Sequence, residues 1–192
     1  MSSAIILHGT CEEAEYRSSQ YPSLSNSHWI PWLQKQLIIK GIPTVTPEIP
    51  NAFMPNYTVW AREFERFDIT PETILVGHSC GGGFLVRWLS QHPDVCVGSV
   101  VLVAPWLDPE KEKGQDNDFF DFDMDPELVK RTGGVTIFNS DDDDATIQAS
   151  VKRIMESIPA IKLTEFHAKG HFCFEDLGTD AFPELLDELL KK

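Results

Sequence analysis

The residues of this chain best suited to acyl-transfer chemistry stand far apart in sequence. Ser79 lies in Gly77-His78-Ser79-Cys80-Gly81, a G-x-S-x-G pentapeptide. A serine hydroxyl is a poor nucleophile until a base takes its proton. His171, in Gly170-His171-Phe172, is the candidate base. The acid that would orient it falls in the run Asp141-Asp142-Asp143-Asp144. In this chemistry the imidazole accepts the serine proton and later returns it to the leaving group, while the carboxylate steadies the imidazolium. The residues alone leave open which of the four aspartates serves. His167 is a weaker candidate base than His171. His78 is expected to point away from the site, His8 to shape the loop after the first strand, and His28 and His92 to lie in solvent or at caps.

Acyl transfer also needs two backbone N–H donors aimed at the developing oxyanion. Cys80, directly after the nucleophile, offers one; its thiol is incidental. The loop His8-Gly9-Thr10 offers the other, at Thr10. Trp106 and Phe172 stand next to these segments and are candidates for an apolar substrate pocket. Packing between helix and sheet is the competing role for both.

The elements that must hold these residues can be read from hydrophobic period. Six short apolar or β-branched runs read as strands: Ala4–His8, Pro43–Pro47, Thr73–Gly77, Val97–Ala104, Val135–Asn139 and Ala160–Phe166. Helical spacing marks Trp29–Lys40, Tyr57–Phe67, Gly82–Gln91, Ile147–Ile158 and Phe182–Leu190. This alternation predicts an α/β fold, with a mostly parallel central sheet of about six strands covered by helices on both faces. Ser79 then falls between a strand and a helix, the context in which G-x-S-x-G is a nucleophile elbow. The acid run and His171 each follow a later strand. The segment 107–132 breaks the rhythm and reads as an acidic insertion near the active site within one domain spanning 1–192.

Composition narrows the partners. The chain has 192 residues, with 30 acidic and 16 basic side chains and a formal net charge of −14. That balance argues against nucleic acid and anionic membrane surfaces, which need a positive footprint. The cysteines (Cys11, Cys80, Cys96, Cys173) form no C-x-x-C pair, so no metal, cofactor or disulfide framework is expected. The chain starts Met1-Ser2-Ser3 with no basic leader, and no run is long enough to span a membrane, so the expected address is cytoplasmic. The charge is unevenly placed. Residues 108–127 carry a net −7 and Asp141–Asp144 a further −4. A negative rim around the site is expected, favouring small neutral or cationic substrates over anionic ones.

Four segments together resemble a family. Ile6-Leu7-His8-Gly9, His28-Trp29-Ile30-Pro31-Trp32-Leu33, the G-H-S-C-G elbow and Gly170-His171-Phe172 look like the small serine hydrolases related to YdeN and retinoblastoma-binding protein nine. The resemblance implies a minimal α/β-hydrolase fold without a large cap, a Ser–Asp–His triad and esterase-like activity. Counting from the strand end by the family pattern gives Asp143 as the acid. Counting back from the following helix gives Asp144, and the strand-end anchor is preferred. The leading expectation is a carboxylesterase acting through an acyl-enzyme on a small-molecule ester. Peptidase, amidase and thioesterase variants use the same triad, and a non-catalytic binding protein on this fold is the alternative class.

Overall fold

The computed structural model describes residues 2–111 and 118–191. Part of the acidic insertion, including Glu112, Lys113 and Asp116, lies outside the described residues. Six strands form one sheet: β1 (Ser3–Leu7), β2 (Thr44–Val45), β3 (Thr73–His78), β4 (Val100–Val103), β5 (Val135–Ser140) and β6 (Lys162–Phe166). Their order is β2-β1-β3-β4-β5-β6 and every pairing is parallel. Seven helices accompany them: α1 (Glu13–Tyr16), α2 (Ile30–Ile39), α3 (Tyr57–Phe64), α4 (Cys80–Gln91), α5 (Ala145–Ser157), α6 (Phe174–Leu177) and α7 (Pro183–Leu190). Among the described residues no helix is long and apolar enough to cross a membrane.

The apolar runs explain the layering. β3, β4 and β5 are buried along their whole length, as strands covered on both faces must be. α2 packs beside α7, and α3 beside α4. The chain steps outward from β1 to β2, then returns past β1 to β3. Right-handed crossovers in opposite directions put the two helix pairs on opposite faces. The reversal also leaves a crevice beyond the carboxyl ends of β1 and β3, the place where open α/β sheets bind ligands.

Three strands are shorter than their sequences suggest, β6 beginning at Lys162 instead of Ala160. β2 keeps only Thr44–Val45 of Pro43–Pro47, since the prolines at each end lack an N–H for the ladder. β4 starts at Val100, because Val97 makes only an isolated bridge to Thr132. The single-turn helices α1 and α6 carry too few residues for a period to show in the sequence.

The insertion is partly core. Phe119 is buried against Trp60, Phe84 and Phe120. Arg87, itself buried on α4, donates from Nη1 to the carbonyls of Asp118 and Phe119. Its guanidinium lies 3.7 Å from the Tyr57 ring centroid. One buried cation thus ties the C-terminal limb of the insertion to α3 and α4, where loss of a charged donor leaves carbonyls unsatisfied.

The carboxyl edge of the sheet buries two imidazoles, His8 after β1 and His78 at the end of β3. Burial lowers the pKa of each, that of His78 far below the ordinary histidine value. Neighbouring His171 and His28 push His78 the same way. His8 is further constrained to one neutral tautomer. Its Nδ1–H donates to the Gly9 carbonyl at 2.7 Å and its Nε2 accepts the Ile49 N–H at 2.9 Å.

Two outcomes are expected. Arg87→Leu should cost about 2–4 kcal/mol and lower Tm by about 5–10 °C; a thermal melt showing less than about 2 °C would contradict the anchoring role. The second concerns pH. A histidine whose folded pKa is depressed binds its proton more readily when unfolded, so its contribution is full above the unfolded value and falls below it. Stability should therefore decline from about pH 6.5 downward. Carboxylates with lowered pKa, such as Glu188, held at about 2 by Lys191, Lys162 and Thr136 against the opposing effect of burial, add their loss only below about pH 4.5. Urea titrations at pH 7.5, 6 and 5 check this; a flat profile over that window would count against it.

Candidate active site

The turn at Ser79 is strained and fully tied down. Its backbone has φ 54° and ψ −120°, a region that side-chain-bearing residues rarely occupy. Its N–H donates to the Val103 carbonyl on β4. Its own carbonyl accepts from the N–H groups of Gly82, Gly83 and Trp106. The flanking glycines are needed because the backbones nearly touch. A Cβ on Gly77 would come 2.6 Å from the α4 backbone at Gly81, and one on Gly81 would come 2.5 Å from the His8 carbonyl oxygen. The tight turn places Ser79 at the N-terminus of the 12-residue α4, where the helix dipole favours negative charge.

The loop after β1 closes on the same point. A Cβ on Gly9 would lie 2.9 Å from the Ser79 Cβ. Two bonds to the segment after β2 hold this loop: Ile49 N–H to His8, and the Thr10 hydroxyl to the Ala52 carbonyl at 2.6 Å. Thr10, expected as one amide donor, lines the same cavity as Ser79, and Cys80, expected as the other, opens α4 directly after it.

His171 and Asp143 meet across 28 residues. His171 Nδ1 lies 2.9 Å from Asp143 Oδ2 and 3.1 Å from Oδ1. The Asp143 side chain is nearly inaccessible, 3 % exposed, so its charge is little screened by water. A carboxylate only accepts, so Nδ1 carries a proton, and the neutral ring then has its lone pair on Nε2, the tautomer a general base requires. Ser79, His171 and Asp143 line one open cavity of about 400 Å³, with Thr10 and Trp106. Among the described residues the Ser79 hydroxyl makes no hydrogen bond to His171; such bonds are commonly long before substrate binds.

The other three aspartates have separate tasks. Asp141 pairs with exposed His167 at 2.6 Å, raising the histidine's pKa and lowering its own. His167 is thereby committed to a different carboxylate from the one His171 uses. Asp142 Oδ1 accepts from the Ser140 hydroxyl and from the N–H groups of Lys169 and Gly170. These bonds lower its pKa and fix the loop that carries His171. Asp144 caps α5 by accepting the Thr146 N–H at 2.8 Å.

Two contacts to His171 escape a reading of the sequence. Asp176 Oδ2 accepts the His171 N–H at 2.9 Å, and His78 Nε2–H donates to the His171 carbonyl at 2.9 Å. His78 thus turns toward the base's backbone, where the sequence reading has it turned away from the site. His28, expected in solvent or at a cap, contacts the His78 ring and accepts the Phe174 N–H on Nδ1. No local pattern in the sequence directs His78 or Asp176 to the His171 backbone, since both contacts depend on how the His171 loop folds back.

Of the two expected pocket aromatics, Trp106 lines the cavity and packs on Phe120. Phe172 does not. Its positive φ of 57° turns it under the loop, where it is fully buried and stacked on Phe182 and against Phe166. Of the two segments expected to form the negative rim, among the described residues only the aspartate run contributes to this cavity. No described acid of 108–127 lines this cavity. Glu12, Glu15 and Asp144 do, from the start of α1 and the cap of α5.

A family model described as serine hydrolase matches residues 20–191. YdeN of Bacillus subtilis (strain 168) is 27 % identical over 189 residues, covering 96 % of this chain and 92 % of YdeN. The crystal structure of the B. subtilis ydeN gene product matches with a TM-score of 0.79 at 24 % identity, over 98 % of this chain and 97 % of that one. Est1E from Butyrivibrio proteoclasticus matches at 0.63 with 17 % identity, over 100 % and 89 % of the two chains. A monoacylglycerol lipase from Paleococcus ferrophilus matches at 0.61 with 13 % identity, over 98 % and 93 %. These structural likenesses concern the fold, a six-stranded α/β-hydrolase core with no large cap evident. The family match covers the elbow, the aspartate run and the His171 loop together, and on it the chain belongs to the serine hydrolase family.

Proposed function

We propose that this serine hydrolase is a carboxylesterase working through an acyl-enzyme with Ser79, His171 and Asp143 as its triad. The observation that carries the reading is the Asp143–His171 pair bordering the same cavity as the strained Ser79. Ser79 Oγ attacks the ester carbonyl as His171 Nε2 takes its proton. The tetrahedral oxyanion is met by the Thr10 and Cys80 N–H groups. Collapse of this intermediate expels the alcohol, which takes the proton from His171. Water then attacks the acyl-enzyme, its proton passing to His171 and on to Ser79 as the carboxylic acid leaves. Side chains and backbone amides supply every role.

Glu12, Glu15 and Asp144 around the cavity favour neutral or cationic small esters. The reduced thiols of Cys11, Cys80, Cys96 and Cys173 fit a reducing, cytoplasmic setting.

Three measurements test the reading. A fluorophosphonate should label the wild-type protein and fail on Ser79→Ala; an unlabelled wild type would sink the proposal. Asp143→Asn should lower kcat by about 10³–10⁴-fold, whereas Asp144→Asn should leave kcat within a few-fold and cost at most about 1 kcal/mol of helix capping. Equal effects of the two would remove the assignment. Finally, the kcat/KM ratio for a choline ester over its uncharged 3,3-dimethylbutyl isostere should exceed one at low salt. It should fall toward one at about 0.5 M salt, as the Debye length shrinks to a few ångströms; a ratio indifferent to salt argues against the acidic rim.

A further inference from the structure

A second cavity adjoins the first and differs from it in carrying an exposed aromatic wall. It has a volume of about 510 Å³, within the ~300–1,000 Å³ usual for small-molecule sites. Tyr21, Pro22, Leu24 and Phe174 form an apolar wall. Tyr21 and Phe174 are 56 % and 50 % exposed, a large aromatic area left to water in a chain that buries most of its rings. Phe174 is not loosely placed, since its N–H is held by His28 Nδ1 at 3.1 Å.

The two cavities abut at Thr10. They share Thr10, Cys11 and Glu15. A small space of about 50 Å³ is lined by residues of both, Thr10, Ser79 and His171 of the first cavity and Leu24, His28 and Cys173 of the second. The nucleophile and base thus stand at a junction. On one side lies the cavity that Glu12 and Asp144 border, on the other the one with the aromatic wall, which Glu175 also lines; Glu15 stands between the two.

Resting on the carboxylesterase reading above, we propose that the aromatic cavity is a subsite for an apolar arm of the substrate. The favoured substrate class is an ester with a cationic arm on one side of the scissile carbonyl and an aryl or compact branched-alkyl arm on the other. An apolar arm there removes the Tyr21 and Phe174 faces from water, and ring-on-ring contact adds to area burial. The carbonyl between the arms then lies at Ser79, with its oxygen toward the Thr10 and Cys80 amides.

Two matched pairs test this on the full chain. Choline phenylacetate against choline acetate places the ring on the acyl side. The phenethyl against the ethyl ester of glycine betaine places it on the alcohol side. One pair should favour the aromatic member by about tenfold or more in kcat/KM, the scale at which apolar pockets discriminate. In the Tyr21→Ala/Phe174→Ala variant that same ratio should fall toward one. Taking the ratio within each protein cancels any loss of folded material. Turnover of the short esters with no aromatic preference in either pair would overturn the subsite and leave the esterase reading standing, as would a preference that survives the double variant. A wild type that turns over none of the four and resists fluorophosphonate would overturn both.

Discussion

The backbone at Ser79 is the constraint on which the rest depends. A residue held at φ 54° persists only where its surroundings over-determine it. Here one N–H and one carbonyl engage four partners, on β4, on α4 and at Trp106. Those partners exist because β3 and β4 pair in register and α4 rises directly from the turn. The crossing is close enough to exclude side chains at Gly77 and Gly81. The sheet, the helix and the loop after β1 therefore converge on one atom, the Ser79 hydroxyl oxygen, whose position the core fixes before any substrate arrives.

The base is positioned by different physics. His171 lies on a loop with left-handed backbone on both sides, at Gly170 and Phe172. Such a loop has no ladder to hold it. Side chains replace the ladder: Asp141, Ser140 and Asp142 on the approach, Asp176 on the His171 N–H and His78 on its carbonyl. Phe172 completes the anchoring from below as a core residue stacked on Phe182. The imidazole is left to Asp143. Backbone placement and ring orientation are thus assigned to separate groups, so each can be perturbed without the other.

Much of this was legible in the residues. The elbow shows in sequence because its sterics admit only glycine at two fixed offsets. The strands show because burial on both faces forces continuous apolar runs. The residues alone left the acid open among four aspartates; the family resemblance, counted from the strand end, preferred Asp143, and it is Asp143 that meets His171. What escaped detection depends on tertiary placement. His78 and Asp176 reach His171 across loops whose paths no local pattern specifies. Phe172 stands beside the base in sequence, but its positive φ sends the ring away from the cavity. The acidic insertion looked like one source of the rim because charge density reads directly off a sequence; Arg87 and the buried Phe119 show that its C-terminal limb is occupied with packing.

The four consecutive aspartates have a consequence that their composition conceals. A run of identical residues suggests redundancy, in which one carboxylate could replace another. Here each has its own partner: His167, the Lys169–Gly170 amides, the His171 ring and the first turn of α5. The run therefore works as a ruler in which spacing, more than identity, carries the information. Removing one aspartate, though three remain, would shift the register between β5 and α5. Every carboxylate past the cut would then face its neighbour's partner.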